Sequence, residues 1–245
     1  MTSVIRHPPA VLLPGTGSDE VFVRSVFGGP LAALGIPLTA PPPPPGAALA
    51  DGFLAVLDRL ADRHGTLLVG GISFGAHLAA EWAVANPGRC GGLLAALPAW
   101  SGEPGQAPAS LAATLSADLV AASGVEAALA QAEAGSPPWI AAELGRAWRR
   151  HGDGLADSLR VAAARPSPTL AALRGLAVPA GVGTCVDDPV HPTKVAREWA
   201  AALPRAALGE TTLAALGADR ESLGRATVLA YLRALTEQPR PDRAH

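Results

Sequence analysis

The residues best placed to do chemistry are Gly71-Ile72-Ser73-Phe74-Gly75, a G-x-S-x-G run between an apolar segment and an alanine-rich one. A serine on a sharp strand-to-helix turn has its hydroxyl thrust outward, and glycines two positions away let the flanking backbones approach. The following helix would aim the Phe74 amide at developing negative charge, and its dipole would favour that charge. Nucleophilic acyl chemistry is the expectation; the bland alternative is a glycine-rich turn that only packs a helix on a sheet. Other chemistries find less support. No repeated Cys/His cluster suggests a metal, so neither metal nor cofactor is expected. Gly15-Thr16-Gly17 lacks the third glycine of a G-x-G-x-x-G dinucleotide fingerprint.

The elements that must position this serine can be read from periodicity. Residues 10–13 form a short, continuously apolar strand, followed by Pro14-Gly15-Thr16-Gly17. A helix is expected over 19–34, capped by Asp19 or Ser18. A second strand over 36–40 is weakened by Pro37 and belongs near a sheet edge. Pro41–Pro45 should form a stiff polyproline loop. A helix at 47–63, a strand at 66–69, the serine turn, a helix to 86 and a strand at 92–97 follow. Residues 101–169 change character and hold only helical segments, at 111–122, 125–134, 139–151 and 155–164. Strands at 178–182 and 206–213 then alternate with helices at 193–203 and 219–235. This order predicts an α/β fold, a mostly parallel open sheet flanked by helices. Residues 1–100 and 170–245 would form the core, and 101–169 a helical cap insert able to exclude water and select substrates.

Composition narrows the setting. The 245 residues are 49% hydrophobic, enough for a substantial core. Nineteen basic and 21 acidic residues nearly balance, and Lys194 is the only lysine. No dense basic patch predicts a nucleic-acid surface; Arg146, Arg149 and Arg150 read as the polar side of a helix. No apolar run free of Gly, Pro and charge reaches the ~20 residues of a membrane span, and the amino end does not read as a signal peptide. Cys90 and Cys185 are few and distant, so a reducing, cytoplasmic protein is expected, with one disulfide left open.

From about residue 10 to 235 the chain resembles the α/β-hydrolase superfamily, in particular its small cap-bearing, esterase- or peptidase-like members. The resemblance rests on the serine turn, the Pro14–Gly17 loop and Asp187-Asp188-Pro189-Val190-His191-Pro192. It implies that Gly15 and Thr16 add oxyanion-hole amides to that of Phe74. It also implies that Asp188, with Asp187 the alternative, orients a histidine. That histidine should follow the last strand, yet residues 209–223 contain none. His191, three residues after Asp188, is the first candidate for a relocated base. His151 could enter from the cap, although a solvated helix-end residue is the simpler account. His77 could line the pocket, but pairing with Glu81 is simpler. His245 would have to fold back from the tail. Glu210 or Asp219 in the usual place would be poor bases for serine at neutral pH.

Three functions are therefore in view. The first is a serine-dependent hydrolase of a small or medium ester, thioester or amide, with a small-molecule acyl substrate. The second is a catalytically degenerate relative that binds a small molecule or protein, motivated by the missing late histidine. The third is an acyl-transfer or cyclisation enzyme using the same pocket, since fold does not fix reaction class.

Overall fold

The computed structural model describes residues 7–236. Strand β1 (Ala10–Leu13) leads through α1 (Glu20–Ala32) to β2 (Leu38–Thr39), and α2 (Leu49–His64) leads to β3 (Leu67–Ile72). Helix α3 (Phe74–Ala85) starts immediately after Ser73 and returns the chain to β4 (Cys90–Ala96). Beyond the insert, β5 (Ala180–Cys185), α8 (Thr193–Ala202), β6 (Ala206–Thr211), α9 (Leu213–Ala218) and α10 (Glu221–Thr236) complete the core. The sheet order is β2-β1-β3-β4-β5-β6, and every pair is parallel.

An all-parallel sheet needs crossovers, and the crossover helices bury both faces. That is why β1, β3 and β4 read as unbroken apolar runs. Alternate residues serve opposite cores. Val11, Leu13, Val69, Leu93 and Val182 face Phe53 and Leu57 of α2, Leu78 of α3 and Trp199 of α8. Ala10, Leu12, Leu68 and Leu94 face Val23 and Phe27 of α1 and Val228 and Tyr231 of α10.

Between β4 and β5 stand α4 (Pro108–Ala134), α5 (Pro138–His151), α6 (Leu155–Ala164) and the short α7 (Leu170–Arg174). An antiparallel bridge between Gly102 and Ser167 joins the two ends of this stretch. Its helices share a small core in which Val120 and Leu129 meet Trp148, Leu155 and Leu159. Helix α4 breaks at Gly124, where φ is 79° and ψ 168°, so it is two helical segments joined at a glycine. By length and composition alone α4 could cross a membrane. Gly124 and the charged residues of α4 interrupt its apolar run. In the fold, Asp118 and Glu126 of this helix pair with Arg160 and Arg149.

Some boundaries differ from those expected. Strand β2 shrinks to two residues at the sheet edge, bounded by Pro37, which cannot donate to a ladder. Strand β3 continues through the glycines to Ile72, and β5 begins after Pro179 rather than at 178. The expected strand at 206–213 ends at Thr211, because the Thr212 side chain caps a helix, α9, that periodicity did not suggest.

Candidate active site

Ser73 has φ 54° and ψ −116°, a left-handed-side conformation that few non-glycine residues adopt. Its backbone is held on both sides. The Ser73 N–H donates to the Ala96 carbonyl (2.8 Å), and its carbonyl accepts from the N–H groups of Ala76 (2.9 Å) and His77 (3.1 Å). The flanking glycines are required by β1, which passes directly against the turn. A Cβ on Gly71 would lie 2.5 Å from the Leu13 carbonyl oxygen, and one on Gly75 only 2.2 Å from it. The Ser73 side chain stays partly exposed while Phe74 is buried beneath it. The Phe74 amide lies in the first turn of α3, where N–H groups have no partner within the helix.

The loop after β1 lies alongside. A Cβ on Gly15 would sit 3.1 Å from the Ile72 carbonyl oxygen and 3.4 Å from the Ser73 Cβ. Gly15 and Thr16 are partly exposed, and the Ser18 N–H closes a tight turn by donating to the Gly15 carbonyl (3.1 Å).

Strand register brings the other partners across. Ile72 is level with Ala96, and Ala96 with Gly183, so the carboxyl ends of β3 and β5 emerge together with only β4 between them. Two strand spacings amount to about 10 Å, which the loop after β5 bridges. There the His191 Nε2 lies 2.9 Å from the Ser73 Oγ, and its Nδ1 lies 2.8 Å from the Asp188 Oδ2. The other carboxylate oxygen, Oδ1, accepts from the N–H groups of Val190 (2.8 Å) and His191 (3.1 Å). Asp188 and His191 thus share one tight Asx-type turn.

Burial alone would raise the Asp188 pKa. The hydrogen bond and charge of His191 and the two backbone N–H groups outweigh it, and the net shift is downward. An ionised Asp188 accepts, so Nδ1 carries the imidazole proton and Nε2 is left to accept from the Ser73 hydroxyl. Asp187 does something else: its Oδ1 accepts the Leu213 N–H (2.6 Å), fastening this loop to the start of α9.

The remaining candidate bases go elsewhere. His77 does not pair with Glu81, because its own ring turns into the core while Glu81 stays part-exposed. Its Nε2 accepts the Ala99 N–H (2.9 Å), and its ring stacks on Trp199 and meets Trp100 edge-on. Burial first, and the nearby charge of His191 second, push its pKa down to about 3. Glu81 instead makes a bidentate pair with Arg165. His151, at the end of α5, is not solvated as expected: its Nε2–H donates to the Ser18 carbonyl (3.1 Å). Glu210 pairs with Arg197, and Asp219 accepts the Glu221 N–H and pairs with Arg225. His245 lies outside the described residues.

Sequence reasoning missed the aromatic group beside Ser73, Asp188 and His191. Trp199 of α8 donates its indole N–H to the Ser101 hydroxyl (2.8 Å), so His77, Trp100 and Trp199 tie together the segments around the site. Nothing in the spacing of positions 77, 100 and 199 signals this. Among the described residues no group of three or more His, Cys, Asp or Glu could hold a metal ion.

The parallel sheet flanked by helices agrees with solved structures. The enol-lactonase from Burkholderia xenovorans superposes with a TM-score of 0.71 at 16% identity, over 95% of this chain and 92% of that one. MenH from S. aureus gives 0.71 at 16% identity, over 95% and 96%. The chain has the α/β-hydrolase fold. A thermophilic esterase from Thermogutta terrifontis is also similar, with a TM-score of 0.64 at 18% identity over 84% and 81% of the two chains. No family model matches the sequence, and no curated protein does. The three hydrogen-bonded residues run Ser73, Asp188, His191 along the chain, and His191 precedes β6, whereas the resemblance implied a histidine after that strand.

Proposed function

We propose that this protein is a serine hydrolase acting on a small or medium ester, thioester or amide. One observation carries the reading: the unbroken run Ser73 Oγ, His191 Nε2, His191 Nδ1, Asp188 Oδ2, with both hydrogen bonds under 3 Å. The serine attacks the acyl carbonyl as its proton passes to Nε2, giving a tetrahedral oxyanion and an imidazolium. Asp188 stabilises that imidazolium without taking its proton. The amides of Phe74 and of Gly15 or Thr16 hold the oxyanion. Collapse expels the alcohol, thiol or amine, which takes the proton from His191. Water, deprotonated by the same imidazole, then releases the carboxylic acid and restores Ser73.

The helices α4 to α6 serve as a cap over the strand ends in this proposal. Their alanine-rich composition suits an uncharged or partly apolar acyl compound. The enol-lactonase and esterase among the similar structures fit the same bond class. A histidine bonded to Ser73 favours catalysis over a binding-only role. The two free, buried cysteines suit a cytoplasmic setting.

Incubation with a fluorophosphonate, followed by intact and peptide mass measurement, tests the reading. One phosphonyl adduct on Ser73 is expected, lost in folded Ser73→Ala and sharply slowed in folded His191→Ala. A folded wild-type protein that stays unlabelled across about pH 6 to 9 would refute it.

A further inference from the structure

The geometry points to Arg146 as a positioning residue of the oxyanion loop, acting through Asp19, so that the insert braces the site as well as covering it. This rests on the hydrolase reading and adds a part to it.

The loop from Pro14 to Asp19 has to lie against Ser73, and its composition makes it soft. Gly15 leaves almost no room for a Cβ, and Gly17 adopts φ 63°. Two glycines in six residues give up stiffness for close approach. Amides that stabilise an oxyanion must nevertheless be held within about half an ångström. The stiffness comes from outside, from the last two turns of α5.

Three consecutive loop residues are gripped there. Gly17 is covered by Trp148, whose indole nitrogen would lie 2.8 Å from a Cβ at that position. The Ser18 carbonyl accepts the His151 Nε2–H. Asp19 is fully buried and takes a bidentate guanidinium, from Arg146 Nε (2.9 Å) and from its Nη2 (2.8 Å). The same carboxylate caps α1 by accepting the N–H groups of Val21 (3.0 Å) and Phe22 (3.1 Å). Asp19 therefore joins the exit of the loop to α1 and to the insert at once. Arg146 also pairs with Glu143, which faces Arg220 from the other side. Arg150 pairs with Glu20.

A bidentate pair is directional where a single ammonium contact is not. Loss of Arg146 leaves a buried carboxylate with its two backbone donors and only the more distant Arg150 guanidinium, 3.9 Å from Oδ2, so the loop moves to rehydrate it. Displacing a group by about 1 Å far from the chemistry can cost on the order of 100-fold in rate.

The test uses the full chain with Arg146→Ala, Arg146→Lys and Asp19→Asn, the last keeping an oxygen to cap α1. Arg149→Ala is the control, because Arg149 sits on α5 but pairs with the exposed Glu126. Hydrogen exchange of peptides covering residues 14–20 reads the brace directly. Hydrolysis of p-nitrophenyl acetate and the rate of fluorophosphonate labelling read the hole. Arg146→Ala should speed loop exchange while β3 and β4 stay protected, and should lower kcat by ~10- to 100-fold with little change in KM. Arg146→Lys should recover part of the loss, Asp19→Asn should resemble Arg146→Ala, and the control should match wild type. Unchanged loop exchange in the variants, or faster exchange with unchanged kcat and labelling, overturns the brace. If Arg146→Ala fails to fold, the Lys and Asn variants decide. An unlabelled wild-type Ser73 sinks the hydrolase reading and the brace with it, whereas equal labelling of wild type and variants sinks the brace alone.

Discussion

Replacing His77 by leucine should make the protein less stable at neutral pH but leave it almost equally stable in mild acid. In the fold the ring is buried between two tryptophans with its Nε2 committed to the Ala99 N–H, and its pKa falls to about 3. The folded protein thus favours neutral imidazole. In the unfolded chain the ring takes a proton as the pH drops below about 6.5. The contribution of His77 is complete above that value and is lost as the pH falls from there toward 3. Between about pH 7.5 and pH 5 proton linkage gives a loss of about 2 kcal/mol from this ring alone.

Leucine binds no proton and escapes this loss. It does strand the Ala99 amide without an acceptor, at a cost of about 1–3 kcal/mol. The wild-type advantage should therefore be about 2 kcal/mol near pH 7.5 and close to zero near pH 5. Urea unfolding of both proteins at the two pH values measures it. Asp19, Asp188 and His151 also have lowered pKa values, but they are common to both proteins and cancel in the difference. A gap that stays constant to within about 0.5 kcal/mol would show that His77 is not held neutral, contrary to the linkage reasoning. It would also reopen the question of which imidazole is free to act as base.

Asp188→Asn should present an amide N–H to the His191 Nδ1, move the imidazole proton to Nε2 and lower p-nitrophenyl acetate turnover by ~10⁴-fold. A loss below tenfold would contradict the tautomer assignment. Gly75→Ala forces a Cβ to 2.2 Å from the Leu13 carbonyl oxygen, a backbone atom that cannot turn aside. It should cost ~2–3 kcal/mol in urea unfolding, and an unchanged midpoint would refute the close approach of β1. Burial pushes the Cys90 thiol up to about 11 and Cys185 up to about 12. Native protein near neutral pH should leave Ellman's reagent colourless until denaturant is added, and prompt reaction would count against their burial.

Local pattern carried the architecture. The apolar run ending in Gly71, the alanine-rich segment after Gly75 and the proline at position 37 each act within a few residues. All three reappear as the serine turn and the short edge strand. Boundaries slipped where a side chain closed or opened an element. The Thr212 side chain makes a helix of what reads as the end of a strand, and Pro179 delays β5. His77 and Glu81 have the spacing of a helical pair, but that spacing cannot say whether the shared face meets water or two tryptophans.

The residues themselves determined the parallel sheet and the serine on its sharp turn, because periodicity and turn chemistry are short-range properties of the chain, while the Asp187–Pro192 loop was marked by resemblance. Tertiary structure alone decided that His191 meets Ser73 across 118 positions and that Arg146 meets Asp19 across 127. Those meetings depend on the register of β3, β4 and β5 and on how α5 docks on the core. Both are set by the packing of whole faces, to which no single spacing in the sequence corresponds.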